Sequence, residues 1–294
     1  MEPYTLDKYL KDTFNTKVYK ISLNAGFTCP NRDGTLDTRG CIFCSGAGSG
    51  DFSESSLLSI TEQIEEGKKR VSKKIGKDGK YIAYFQAFTN TYAPCEKLRS
   101  VFEEAIKHPD IVALSIATRP DCLPENVLNL LSELNKIKPV WVELGLQTIH
   151  EKTAEYIRRC YALSVYDKSL SELKKRNLYV ITHVILGLPG ESEKEMLETV
   201  KYVCDSGSDG IKLQLLHVLK GTELAKEYEA GKFKCLEREE YISLVVKCLE
   251  IIPEPIAIHR MTGDGDKKIL IAPEWSKDKK RVLNELNKAI RMHD

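Results

Sequence analysis

Three cysteines stand in Thr28-Cys29-Pro-Asn-Arg-Asp-Gly-Thr-Leu-Asp-Thr-Arg-Gly-Cys41-Ile-Phe-Cys44, two of them as Cys41-x-x-Cys44. Thiolates so grouped are soft ligands suited to zinc or an iron–sulfur cluster. A closed structural zinc site takes four ligands. No fourth Cys or His occurs in this loop, and the next cysteine, Cys95, stands alone. Three thiolates would leave one iron of a [4Fe–4S] cluster open to a substrate or cofactor. A non-catalytic zinc-binding interaction module, completed by an outside ligand, is the alternative. The other six cysteines (Cys95, Cys122, Cys160, Cys204, Cys235, Cys248) have no close partner in the sequence and read as small buried hydrophobes.

The elements that must carry this loop show in the hydrophobic pattern. Strand-length apolar runs at 18–25, 81–88, 112–117, 140–146, 179–186 and 210–218 alternate with helical periodicity at 55–74, 95–107, 124–136, 150–159, 165–176 and 193–206. Such βα units in series predict a parallel sheet flanked by helices, closed into a barrel or most of one. Residues 1–220 would form this barrel with its N-terminal extension and cysteine loop. Residues 221–294 would form a helical C-terminal cap on it, within one structural unit. Chemistry in such a fold gathers where strands end C-terminally, and the cysteine loop follows the first strand.

The 294 residues carry 44 Lys+Arg against 43 Asp+Glu. That balance disfavours nucleic acid, which binds through a basic excess, and favours a small-molecule substrate. No 18-residue apolar run occurs, and the first ten residues lack a basic and apolar leader, so the expectation is a cytoplasmic protein with no membrane partner. Strand alternation puts Glu143, Gly145 and Gln147 on one face of the fourth strand. A carboxylate in so apolar a strand costs on the order of several kcal/mol unless partnered, which argues for a ligand-facing role. Lys212 and Gln214, with His183 and Ser115, suggest a substrate pocket in the lumen. His259 and Arg260 are expected to reach the barrel mouth from the cap.

Cys29-x11-Cys41-Ile-Phe43-Cys44, placed after the first strand of a βα series, resembles the wide-spaced variant of the radical S-adenosylmethionine (SAM) superfamily. Further stretches resemble its YhcC-type group, relatives of the elongator catalytic subunit: Cys29–Gly34, Phe85–Pro94, Thr118–Leu123, Trp141–His150, Leu186–Glu191, Leu216–Thr222 and His259–Asp264. The resemblance implies an α/β fold, a partial (β/α)6 TIM-like barrel, with a [4Fe–4S] cluster on Cys29, Cys41 and Cys44 and SAM on the open iron. It places Phe43 beside the cluster, Gln86 and Asn90 at the SAM amino group, and Glu143 and Gln147 at its ribose or methionine end. Arg159 would meet the SAM carboxylate, and Ile185 the adenine. Three departures stand out: Gln86-Ala-Phe-Thr-Asn90 replaces the usual Gly-Gly-Glu, Arg159-Cys160-Tyr161 replaces Arg-Gly-His, and Lys212-Leu-Gln214-Leu replaces Lys-Leu-His-Leu.

The resemblance implies a radical enzyme fed by an electron donor such as flavodoxin or ferredoxin. No second cysteine cluster is available for methylthiolation. Among small-substrate members the chain most resembles queuine lyase, which cleaves a carbon–nitrogen bond of queuine to give 7-aminomethyl-7-deazaguanine. A tRNA-modifying enzyme is the alternative within the superfamily.

Overall fold

A computed structural model describes residues 2–48, 50, 53–75, 79–263 and 265–293; Asp264, the end of the last stretch quoted above, lies outside them. In chain order the elements are α1 (Leu6–Phe14), β1 (Val18–Leu23), α2 (Ile60–Ile75), β2 (Lys80–Phe85), α3 (Cys95–Lys107), β3 (Ile111–Thr118), α4 (Glu125–Asn135), β4 (Val140–Gln147), α5 (Glu151–Tyr156), α6 (Leu163–Lys175), β5 (Tyr179–Leu186), α7 (Glu193–Asp205), β6 (Gly210–Leu215), β7 (Val218–Leu219), α8 (Glu223–Glu229), α9 (Arg238–Ile251), β8 (Ala257–Arg260), β9 (Leu270–Ala272) and α10 (Lys279–Met292). One parallel sheet runs β1-β2-β3-β4-β5-β6-β8, and β7 and β9 form a short antiparallel pair.

All six expected strands are present, and the sheet curls into a partial barrel. A seventh strand, β8, extends the six expected ones: it comes from the apolar stretch at 256–258 inside the region assigned to the cap. Its partner is β6, so the cap is continuous with the sheet. At four residues it is too short for periodicity to separate from a buried loop.

Alternation along each strand sorts the interior into layers. Outward residues such as Phe85, Leu114, Leu144 and Leu213 pack with the helices in the main core. The lowest inward layer is apolar: Val18, Ile82, Ala113, Trp141 and Ile181, plugged by Leu10 of α1. That helix, unmarked by the sequence reading, starts where Thr5 Oγ1 accepts from the Lys8 N–H and ends at Asn15 in the left-handed region, φ 51°. Above the apolar plug sit Lys20, Tyr84, Ser115, Glu143, His183 and Lys212, mutually bonded. The layer above them opens to the mouth.

Of the six cysteines read as buried hydrophobes, Cys122 and Cys248 are buried, Cys95, Cys204 and Cys235 are half-buried, and Cys160 is exposed. Cys160 breaks the expectation: it is exposed, at φ 62° in the turn after α5.

Candidate active site

The loop between β1 and α2 builds the roof. Cys41 and Cys44 are brought together by a turn in which the Cys44 N–H donates to the Cys41 carbonyl, 3.0 Å. Ile42, between them, is buried with Leu188, Leu216 and Leu224. Its N–H donates to Ile157 O (3.2 Å), and its carbonyl accepts from the Leu224 N–H (3.1 Å), so this turn is keyed to both the α5–α6 connection and the cap. Arg32 donates to the Cys44 and Ser45 carbonyls at 2.9 and 2.6 Å. Gly48, at φ 58°, lies against the Phe88 ring, where an added Cβ would come within 2.4 Å, and its carbonyl accepts from the Phe88 N–H at 2.8 Å, which joins the loop to the segment after β2.

Cys29, Cys41, Phe43 and Cys44 all line one cavity, which continues down into the barrel. Burial, with Cys44 and Cys29 nearby, pushes the Cys41 thiol up to about 12, so a proton stays on its sulfur unless a cation displaces it. Three thiols opening on a shared space are a donor set that fits an iron–sulfur cluster. Among the described residues no three His, Cys, Asp or Glu side chains are grouped to hold a single metal ion.

Gln86, Gln147, Ile185 and Gln214 line the same cavity. Gln86 accepts from Ser22 Oγ at 3.0 Å. Gln147 stands at a register shift at the end of β4 with φ 68°, and its amide nitrogen faces the Gly145 and Leu146 carbonyls at 2.9 and 2.8 Å. His183 also reaches the wall, and so does Arg260.

Other side chains are placed differently. Glu143 touches the cavity, but it is 0% exposed and its carboxylate accepts from Lys20 Nζ (2.7 Å), Ser115 Oγ (2.6 Å), His183 Nε2 (2.6 Å) and Lys212 Nζ. Burial alone would raise this carboxyl; Lys20, Lys212 and His183 outweigh it and hold it well below the carboxylate range. It is the counter-charge of the polar layer. Ser115 and Lys212 lie behind the wall in that layer. Burial brings Lys212 down to about 7, against the pull of Glu143 and with Lys20 and Arg260 adding to the fall. Burial and the Lys212 charge bring His183 to about 4. The neutral imidazole then donates from Nε2 to Glu143 and accepts at Nδ1 from the Gln214 amide, 3.2 Å.

Asn90 does not line the cavity: it is buried, its Nδ2 staples β2 to β3 through Phe85 O (3.1 Å) and Ala117 O (2.9 Å), and its Oδ1 has no hydrogen-bond partner among the described residues. His259 is corrected. It lies at the opposite end of the barrel from the mouth, packed on Tyr9, Trp141 and Tyr179, because β8 runs as a sheet strand and aims this side chain at the apolar plug. Arg159 is 2% exposed and donates to Tyr161 O (3.0 Å), Thr148 O (2.6 Å) and the Glu151 carboxylate (3.3 Å). Its guanidinium thus binds its own loop, and the residue lines the cavity.

Four further residues of the site, Lys20, Tyr84, Arg119 and Tyr161, have no role assigned from the sequence. Lys20 and Tyr84 carried the same inward parity as Glu143. Arg119 lies in the quoted Thr118–Leu123 stretch and lines the cavity; its guanidinium and that of Arg159 lie 5.2 and 4.7 Å from the centre of the Tyr161 ring.

The radical SAM superfamily profile matches residues 35–203, and the radical SAM C-terminal domain profile matches 208–292. The chain is 49% identical over 287 residues to the uncharacterized protein YtqA of Bacillus subtilis, covering 98% of this chain and 89% of the relative. It is 38% identical over 281 residues to protein YhcC of Escherichia coli, covering 95% and 89%. A tRNA uridine(34) acetyltransferase of Methanocaldococcus jannaschii is 30% identical over 163 residues, 54% of this chain and 30% of that one. Among solved structures, archaeal Elp3 of Methanocaldococcus infernus shares the fold with TM-score 0.66 at 21% identity, over 87% of this chain and 59% of that chain. Among the described residues no helix is long and apolar enough to cross a membrane.

Proposed function

The chain belongs to the radical SAM superfamily, and from that premise we propose that it cleaves a carbon–nitrogen bond in a small molecule held between the cysteine loop and the Glu143 layer, with queuine as the substrate. Members of this superfamily bind a [4Fe–4S] cluster and SAM; when bound and reduced, the pair supplies a 5′-deoxyadenosyl radical that takes hydrogen from substrate. In this chain Cys29, Cys41 and Cys44 would hold the cluster. Gln86, Gln147 and Ile185, on the walls below it, would contact SAM, and the loop fixed by Arg159 would close over its amino-acid end.

The observation that carries the small-substrate reading is the shape and chemistry of the cavity. It runs from three thiols to His183 and Gln214 and is closed beneath by a saturated charged layer and an aromatic plug. The substrate must therefore enter from the mouth and present its reacting carbon inside. Gln214, beside neutral His183, offers amide groups to a purine-like edge.

With dithionite and SAM, queuine should stimulate 5′-deoxyadenosine release and yield the aminomethyl base by mass spectrometry. Affinity should change little between low and physiological salt, because a neutral base or single amine has few ion pairs to screen. The likeness to a tRNA-modifying acetyltransferase supports a second reading. Turnover with bulk tRNA and none with free queuine would select it and end the lyase proposal.

A further inference from the structure

We propose that Asn31 is a positioning residue for the cluster, donating its side-chain N–H to the Cys41 sulfur and making the cluster easier to reduce. The inference rests on the assignment of Cys29, Cys41 and Cys44 as the iron ligands. Asn31 is fully buried. Its Nδ2 lies 2.7 Å from the Arg158 carbonyl and 3.6 Å from Cys41 Sγ. The amide has two hydrogens, so the strong bond to Arg158 sets its plane and leaves the second N–H for the sulfur.

The surroundings hold that arrangement from three sides. The Asn31 carbonyl accepts from the Gly40 N–H at 2.7 Å, tying it to the residue before Cys41. Arg158, whose carbonyl orients the amide, is held in the left-handed region at φ 54°. Its guanidinium donates to Gly40 O (2.9 Å) and to the Glu223 carboxylate of α8 (2.7 Å). A side chain needed only to fill space would not require a donor pair inside this network.

Hydrogen bonds to cluster-ligating sulfur draw electron density from it and stabilise the state carrying the extra electron, which raises the reduction potential. Arg119 also contributes positive charge near Cys41 and Cys29, but Asp121 bridges it at 2.9 and 2.7 Å. Asn31 is neutral. Its replacement by an isostere without N–H therefore tests the hydrogen bond without altering net charge.

The test is an EPR-monitored redox titration of the full chain, reconstituted anaerobically with iron and sulfide, as wild type and Asn31→Leu. The variant should retain the wild-type iron content, and its midpoint should shift to more negative potential. An unchanged midpoint at equal iron content would overturn the proposal. If the variant takes up no cluster, wild-type protein labelled with 15N only at asparagine side-chain amides decides. Pulsed EPR of the reduced cluster should then show a 15N hyperfine coupling, and its absence overturns the assignment. Wild-type protein that binds no iron would instead remove the ligand assignment beneath it.

Discussion

Glu143→Gln should destabilise the fold most near neutral pH and less as pH rises. The carboxylate is completely buried and accepts four hydrogen bonds, two of them from lysines. Removing its charge leaves two buried ammonium groups without their counter-ion, and breaking a buried pair from one side costs about 3–5 kcal/mol. Against a domain stability of roughly 5–15 kcal/mol that is a large fraction. The sign of the pH dependence follows from proton counting. Lys212 falls from its ordinary 10.5 to about 7 in the fold, so between those values the unfolded chain holds a proton the folded chain lacks, and wild-type stability rises with pH. Without Glu143 the lysines lose their protons at still lower pH. The variant's folded state then binds fewer protons than wild type, and its deficit narrows as pH climbs through about 7 and on through the range where Lys20 titrates. Urea denaturation of both proteins at pH 6 and pH 9 measures this. A deficit under about 1 kcal/mol, the size of a surface pair, or one that widens with pH, would refute the reasoning.

Two further outcomes follow from the same geometry. Ile42→Ala, at a site 3% exposed, should cost about 2–5 kcal/mol as a buried Ile truncation, and should lower retained iron on gel filtration because the Cys41–Cys44 turn loses its anchor. His183→Ala and Gln214→Ala should preserve SAM binding by equilibrium dialysis while raising the substrate KM, or uncoupling 5′-deoxyadenosine release from product. Equal KM and coupling in both variants would place the substrate elsewhere.

Much of the frame was legible because the inward and outward faces of these strands differ so sharply. The βα alternation located six strands, and the grouped cysteines marked the loop at the mouth. Parity singled out Glu143, His183, Lys212 and Gln214, and all four converge. What parity could not supply was depth. Glu143 and Gln147 share a face, yet one lies at the centre of a charged layer and the other at a strand end bent by a left-handed residue, a difference set by register across strands. The depth of Lys20 and Tyr84 was hidden for the same reason. Arg159 reads as ligand-facing because its type suits SAM, but it spends donors on backbone carbonyls, partners that carry no signature in the sequence; Asn90 does the same with its Nδ2 while its Oδ1 stays without a partner. His259 was misplaced once the short β8 was taken for part of a cap.

Three thiols acting together are the centre of the proposed chemistry, and the direct measurement is 5′-deoxyadenosine release by anaerobically reconstituted protein given SAM and dithionite. Wild type should be brown, hold about four iron and four sulfide per chain, and release the nucleoside. Cys29→Ala, Cys41→Ala and Cys44→Ala should each abolish release, while Cys248→Ala, in the α9 core, should retain it. Release at the wild-type rate from any of the three triad variants, or a colourless wild type holding stoichiometric zinc, would contradict the account.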